Sequence, residues 1–66
     1  MENEQLMSVV QVAKYLQLNR STIYDWAQRG KLPAIKLGQV WRFRRVELDT
    51  WLETQKVEAK VDREIT

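Results

Sequence analysis

The chain contains no cysteine and no histidine. The first absence excludes a disulfide framework and a thiolate metal site. The second removes the commonest general base and the commonest metal ligand. The carboxylates Glu2, Glu4, Asp25, Glu47, Asp49, Glu53, Glu58, Asp62 and Glu64 fall mostly on expected exposed helix faces and tails. They suggest no nucleophile–base pair and no metal constellation, so an enzyme is the weakest function class, and no cofactor or small-molecule ligand is expected. No apolar run approaches the ~20 residues of a membrane span. The opening MENEQLM is acidic and polar, unlike a secretory leader, so a cytoplasmic location is expected.

Proline and glycine are also scarce, with Pro33, Gly30 and Gly38 the only ones among 66 residues. A chain this short reads as one small domain, burying only roughly 60% of its unfolded surface. Net charge is +2, but it is unevenly placed. From Arg20 to Arg45 there are seven basic residues against the single acid Asp25, a local charge of +6. The rest of the chain has four basic residues against eight acids, or −4. A basic centre between acidic ends favours a polyanion held by the middle of the chain.

Ser8-x-x-Gln11 is a capping-box pattern. Val9, Val12, Ala13 and Leu16 follow at i, i+3, i+4 and i+7, the spacing of a short helix with one apolar face. Tyr15 is placed at its edge. Gln17 and Leu18 make a tight connection, with Leu18 expected between the helices. Asn19 is read as the N-cap of a second helix, its side-chain oxygen accepting from the first turn. Ile23, Trp26 and Ala27 make that helix's core stripe, and Gly30 its left-handed stop. Two short helices joined by a tight turn make a helix-turn-helix. The outward face carries Arg20, Ser21, Thr22, Tyr24, Asp25 and Gln28, with Arg29 at its end. These are donor and acceptor types that reach phosphates and base edges. The bland alternative is an ordinary solvated face.

After Gly30 the period changes. Leu32–Leu37 and Val40–Phe43 flank Gly38-Gln39 and read as a β-hairpin. Pro33 suits the start of a strand. Alternation puts Ile35, Leu37 and either Trp41 or Phe43 toward the core, with Lys36 and Arg42 facing out as a charged wing. The alternative is a structural hairpin with solvated charges. Arg44-Arg45 leads into a third helix containing Val46, Leu48, Trp51 and Leu52. Glu47, Asp49 and Glu53 are expected in solvent. Trp51 is expected to fill the gap between this helix and the hairpin, and Trp26, Trp41 and Trp51 to be mostly shielded. Val57, Val61 and Ile65 suit a weak helical extension, a dimer contact or a frayed tail, the last being favoured. The expected division is a disordered N-terminus over 1–7, a domain over 8–54 and a tail over 55–66. The fold class is mostly α with a small β-hairpin: three short helices and a two-stranded wing.

The stretch SVVQVAKYLQLNRSTIYDWAQRGKLPAIKLGQVWRFRRVELDTWL resembles the excisionase-type helix-turn-helix family, related to the MerR-like winged-helix DNA-binding domain. The run RGKLPAIKLGQVWRF is its most specific part. The resemblance implies a bacterial or phage-type, nucleoid-associated protein that binds double-stranded DNA through the second helix and the wing. It puts Arg20, Ser21, Thr22, Tyr24 and Asp25 on the groove-facing helix, and Lys36, Gly38, Gln39 and Arg42 on the wing. Gln17 stands where the family often has glycine, and Arg44 where it often has proline. Partners would be duplex DNA and a recombinase or integrase, or further copies of the chain. Roles left open are an excisionase-like recombination directionality factor, a small transcriptional regulator and a protein-interaction adaptor. Physically, Arg20 could contact phosphate or a guanine, and Asp25 could orient Arg20 or Arg29. The wing cations supply affinity more than sequence choice.

Overall fold

Ser8 opens the first helix as its pattern requires. Its amide donates to Gln11 Oε1 at 2.8 Å, and the Gln11 amide donates to Ser8 Oγ at 3.2 Å. The computed structural model describes residues 5–56. Helix α1 spans Val9–Leu16, α2 Arg20–Gln28 and α3 Arg45–Thr54. Between α2 and α3, β1 (Ile35–Leu37) and β2 (Val40–Arg42) form an antiparallel hairpin. No helix among the described residues is long and apolar enough to cross a membrane. The order is that of a winged helix-turn-helix.

The turn between α1 and α2 rests on Gln17, which takes the left-handed conformation at φ 60°. The Leu18 amide reaches back to the Ala13 carbonyl at 2.8 Å, closing α1. A left-handed residue with a Cβ costs roughly 1–2 kcal/mol. Gln17→Gly removes that cost but loosens the unfolded chain, so a net gain of about 0.5–1 kcal/mol is expected. Thermal unfolding should show a melting temperature higher by roughly 4 °C. A lower one would mean that the Gln17 side chain stabilises the turn.

Two expectations about this turn are corrected. Asn19 has the extended backbone of an N-cap, but its side chain makes no capping hydrogen bond. Its carbonyl instead accepts from the Thr22 and Ile23 amides at 3.1 and 3.2 Å, so α2 starts on backbone bonds alone. Leu18 is 39% exposed rather than buried. Val12, Ala13, Ile23 and Ala27 already join the two helices in one buried cluster, and the small alanines let the backbones approach closely. At the far end of α2, Gly30 is left-handed at φ 70°. Its amide reaches the Ala27 carbonyl at 3.2 Å, and the Lys31 amide reaches the Trp26 carbonyl at 2.8 Å. This is the double closure that a glycine after a helix permits.

The core consists of Val9, Val12, Ala13, Ile23, Ala27, Leu32, Phe43 and Leu48. Phe43, just past β2, is fully buried and exchanges two backbone hydrogen bonds with Met7, at 2.8 and 3.0 Å. Met7 is thereby tied to the core through Phe43. Leu37, expected inward, is 51% exposed.

Trp51 is half-buried and packs against the core. Its indole Nε1 donates to the Lys31 carbonyl at 2.9 Å, and its ring lies 6.1 Å from that of Trp26. It ties α3 to the end of α2. Tyr15 ties α3 to α1, its hydroxyl donating to Asp49. The expected tail beyond Lys56 and the first four residues lie outside the described residues.

Candidate nucleic-acid interface

The core stripe of α2 fixes which residues the helix shows. With Ile23 and Ala27 buried, Arg20, Ser21, Tyr24, Asp25, Gln28 and Arg29 are exposed, and Thr22 is half-buried. Among the described residues, the amides of Arg20 and Ser21 have no protein acceptor, so the first turn of α2 offers free donors beside a cation. Asp25 accepts from Arg29 Nε at 3.0 Å, which decides between the two arginines it could orient. Both side chains are more than half exposed, so the pair contributes only about 0.3–0.5 kcal/mol to stability. Its consequence is to hold the Arg29 guanidinium along the helix and to offset the carboxylate's repulsion of an anion.

The hairpin stands beside this face. Tyr24 of α2, Gln39, Val40 and Arg42 of the hairpin, and Ser8 and Val10 at the start of α1 line one open groove. Three of the sequence-predicted residues, Tyr24, Gln39 and Arg42, thus come together. Ser8 and Val10 were missed. Their position follows from the Met7–Phe43 pairing, which joins segments far apart in sequence and leaves no local signal.

The register corrects the picture of a wing with both cations on its outer side. Lys36 pairs with Trp41, and Arg42 pairs with Ile35. Directly opposed residues share a face and neighbours alternate, so Lys36 and Arg42 lie on opposite faces of the ribbon. Lys36 Nζ sits 5.0 Å from the centre of the Trp41 ring. Arg42 is half-buried, and its Nη1 donates to the Trp41 carbonyl at 2.8 Å. Gly38 forms the turn at φ 64°, and a Cβ there would meet nothing within 4 Å. Backbone conformation, not space, selects glycine at that position.

Not every cation of the basic segment joins this surface. Arg45 lies over the Tyr15 ring at 4.8 Å and within 4.0 Å of Asp49. Tyr15, by hydrogen bonding and by charge, raises the Arg45 guanidinium above its ordinary value, and Asp49 adds to this by charge. A second groove runs between Trp26 and Trp51, with Lys31 and Gln55 at its rim.

A family model described as a helix-turn-helix domain matches residues 6–56. Two Mycobacterium tuberculosis proteins are each 31% identical over 55 residues, spanning 83% of this chain and 70% of the relative. They are named "Putative DNA-binding protein MT0521" in strain CDC 1551 / Oshkosh and "Putative DNA-binding protein Rv0500A" in strain ATCC 25618 / H37Rv. No solved structure matches this chain significantly.

Proposed function

Since the chain belongs to the helix-turn-helix domain family, we propose that it binds double-stranded DNA without catalysis, as an excisionase-like architectural factor of the MerR-like winged-helix kind. The observation that carries this reading is the groove in which Tyr24, on the exposed face of α2, meets Gln39 and Arg42 of the hairpin. The names of the two mycobacterial relatives support DNA as the partner. In this reading α2 lies in the major groove. Arg20, Ser21 and Thr22 at its start meet phosphate or base edges, where the helix N-terminus already favours anions. Tyr24 gives its hydroxyl to a phosphate. Gln28 and Arg29 extend the contact along the helix, with Arg29 held by Asp25. Lys36, Gln39 and Arg42 contact the flanking backbone, with Gly38 setting the turn.

One short helix reads only a few base pairs, too little for a unique genomic site. Several copies on repeated half-sites, or binding beside a recombinase, follow from that limit. The test is selection of bound duplexes from a random pool, then titration on the winner. Enriched repeats, cooperative multi-copy bands and a bent product support the architectural role. A single unbent 1:1 complex leaves a simple transcriptional regulator. No enrichment at all rejects DNA as the partner. Arg20→Ala should change which sequences are enriched, because Arg20 is the cation placed to reach a base edge.

A further inference from the structure

Each end of the hairpin is held at one residue whose two backbone groups are both bonded. At the exit, the Phe43 amide donates to the Met7 carbonyl at 3.0 Å, and the Phe43 carbonyl accepts from the Met7 amide at 2.8 Å. At the entry, the Lys31 amide donates to the Trp26 carbonyl at 2.8 Å, and the Lys31 carbonyl accepts from Trp51 Nε1 at 2.9 Å. Three of these four bonds run from backbone to backbone, so no loss of a side chain removes them directly. The fourth uses the Trp51 indole, whose ring also lies against that of Trp26 with centres 6.1 Å apart. Lys31 is therefore gripped from α2 on one side and from α3 on the other. Leu32, next in the chain, is buried in the core. Burial is non-directional, and it sets how deep the connection sits. Hydrogen bonds favour a narrow range of angles, so the grip on Lys31 sets the direction in which the chain leaves α2 for β1.

Resting on the reading of this chain as a duplex-binding protein, we propose that Trp51 is a positioning residue for that binding. Through the Lys31 carbonyl it fixes the hairpin against α2, so that both meet one duplex together. Trp51 itself stands apart from the proposed surface. It shares a groove with Trp26, Lys31 and Gln55, none of which lines the groove of Tyr24, Gln39 and Arg42. The charges of the wing ride on the ribbon. Lys36 Nζ sits over the Trp41 ring, and Arg42 Nη1 donates to the Trp41 carbonyl. A ribbon that swings therefore carries both cations away from their phosphates at once, while Arg20 and Arg29 stay with α2. The helix pair keeps its own buried cluster of Val12, Ala13, Ile23 and Ala27, so α2 is presented with or without the indole bond. A wing fixed before binding also has less freedom to lose when the duplex arrives.

The test uses Trp51→Phe, which keeps an aromatic ring beside Trp26 and removes the donor. The control is Tyr15→Phe, which removes the hydroxyl's bond to Asp49 on α3 and leaves the Lys31 bond in place. Neither substitution changes a charge. Circular dichroism in the cold checks that both variants are folded, and anisotropy across a salt series measures affinity for the duplex selected from the random pool. Trp51→Phe should bind roughly tenfold more weakly at low salt, as for the loss of a charge-assisted contact. Its slope of log affinity against log salt should flatten by about one to two units, as if wing cations had been deleted. Lys36→Ala should then add little to Trp51→Phe, because its contact is already lost, whereas Arg20→Ala should add in full. Tyr15→Phe should leave the slope unchanged. A folded Trp51→Phe protein with the unaltered slope, or with a loss that adds in full to that of Lys36→Ala, overturns the proposal and leaves duplex binding standing. A slope flattened equally by Tyr15→Phe overturns it too, because general loosening then explains both. If Trp51→Phe does not fold, a synthetic chain with Trp51→benzothienylalanine, which keeps both rings and lacks the N–H, replaces it under the same criteria. If the unaltered chain binds no duplex, both readings fall together.

Discussion

Phe43→Ala should leave most of the domain unfolded near room temperature, visible as lost helical circular dichroism and a collapsed melting transition. Phe43 is one of four fully buried large side chains, with Ile23, Leu48 and Val12. Truncating a buried phenylalanine costs roughly 3–5 kcal/mol. At about 0.05–0.15 kcal/mol per residue, a domain of this size has only a few kcal/mol in total. The same residue pairs with Met7, so its loss also frees the base of the hairpin. Trp51→Ala should cost less, about 2–3 kcal/mol, because the indole is half-buried and gives up one hydrogen bond and one ring contact. Denaturant unfolding of the two variants side by side checks the order. A Trp51 variant less stable than the Phe43 variant would mean that the core is centred on the indole.

The second large effect is on binding. Raising salt from about 50 to 200 mM should weaken duplex affinity by roughly 150–500-fold, as for a protein that neutralises four or five phosphates. In the proposed reading the cations that would do so are the exposed Arg20, Arg29 and Lys36 and the half-buried Arg42. Arg45 is not counted, because Tyr15 and Asp49 hold it between α1 and α3. Lys36→Ala or Arg42→Ala should weaken all sequences alike and flatten the slope of log affinity against log salt by about one unit. Fluorescence anisotropy across a salt series measures this. A slope near zero would remove the phosphate contacts, and equal, salt-insensitive losses for these variants and Arg20→Ala would remove the division between reading helix and wing.

What could be read from the sequence is what neighbours in the chain decide. The capping box at Ser8 and Gln11, the stop at Gly30 and the hairpin turn at Gly38 each depend on residues within a few positions, and each is present. The outward face of α2 was legible for the same reason, since burying Ile23 and Ala27 settles the rest of a helix by its period. Apart from the Asn19 cap, a local expectation that failed, the missed features depend on distant partners or on register. The tie from Trp51 to the end of α2 went unread because its acceptor, the Lys31 carbonyl, lies in a loop with no side-chain signal. Met7 looked like part of a tail because its partner is Phe43. Lys36 and Arg42 were read as sharing a face, although the two-residue Gly38-Gln39 turn already pairs Lys36 with Trp41 and Arg42 with Ile35 and so sends them to opposite faces.

The most direct test of duplex binding through α2 and the wing is a titration of the isotope-labelled protein with a short duplex at low salt, following backbone amide shifts by NMR. The expected result is that the largest shifts fall on Arg20, Ser21, Tyr24, Gln28 and Arg29 and on Lys36 through Arg42, while Trp26, Trp51 and Gln55 stay still. Largest shifts around the Trp26–Trp51 groove, or none anywhere as duplex is added in excess, would contradict it.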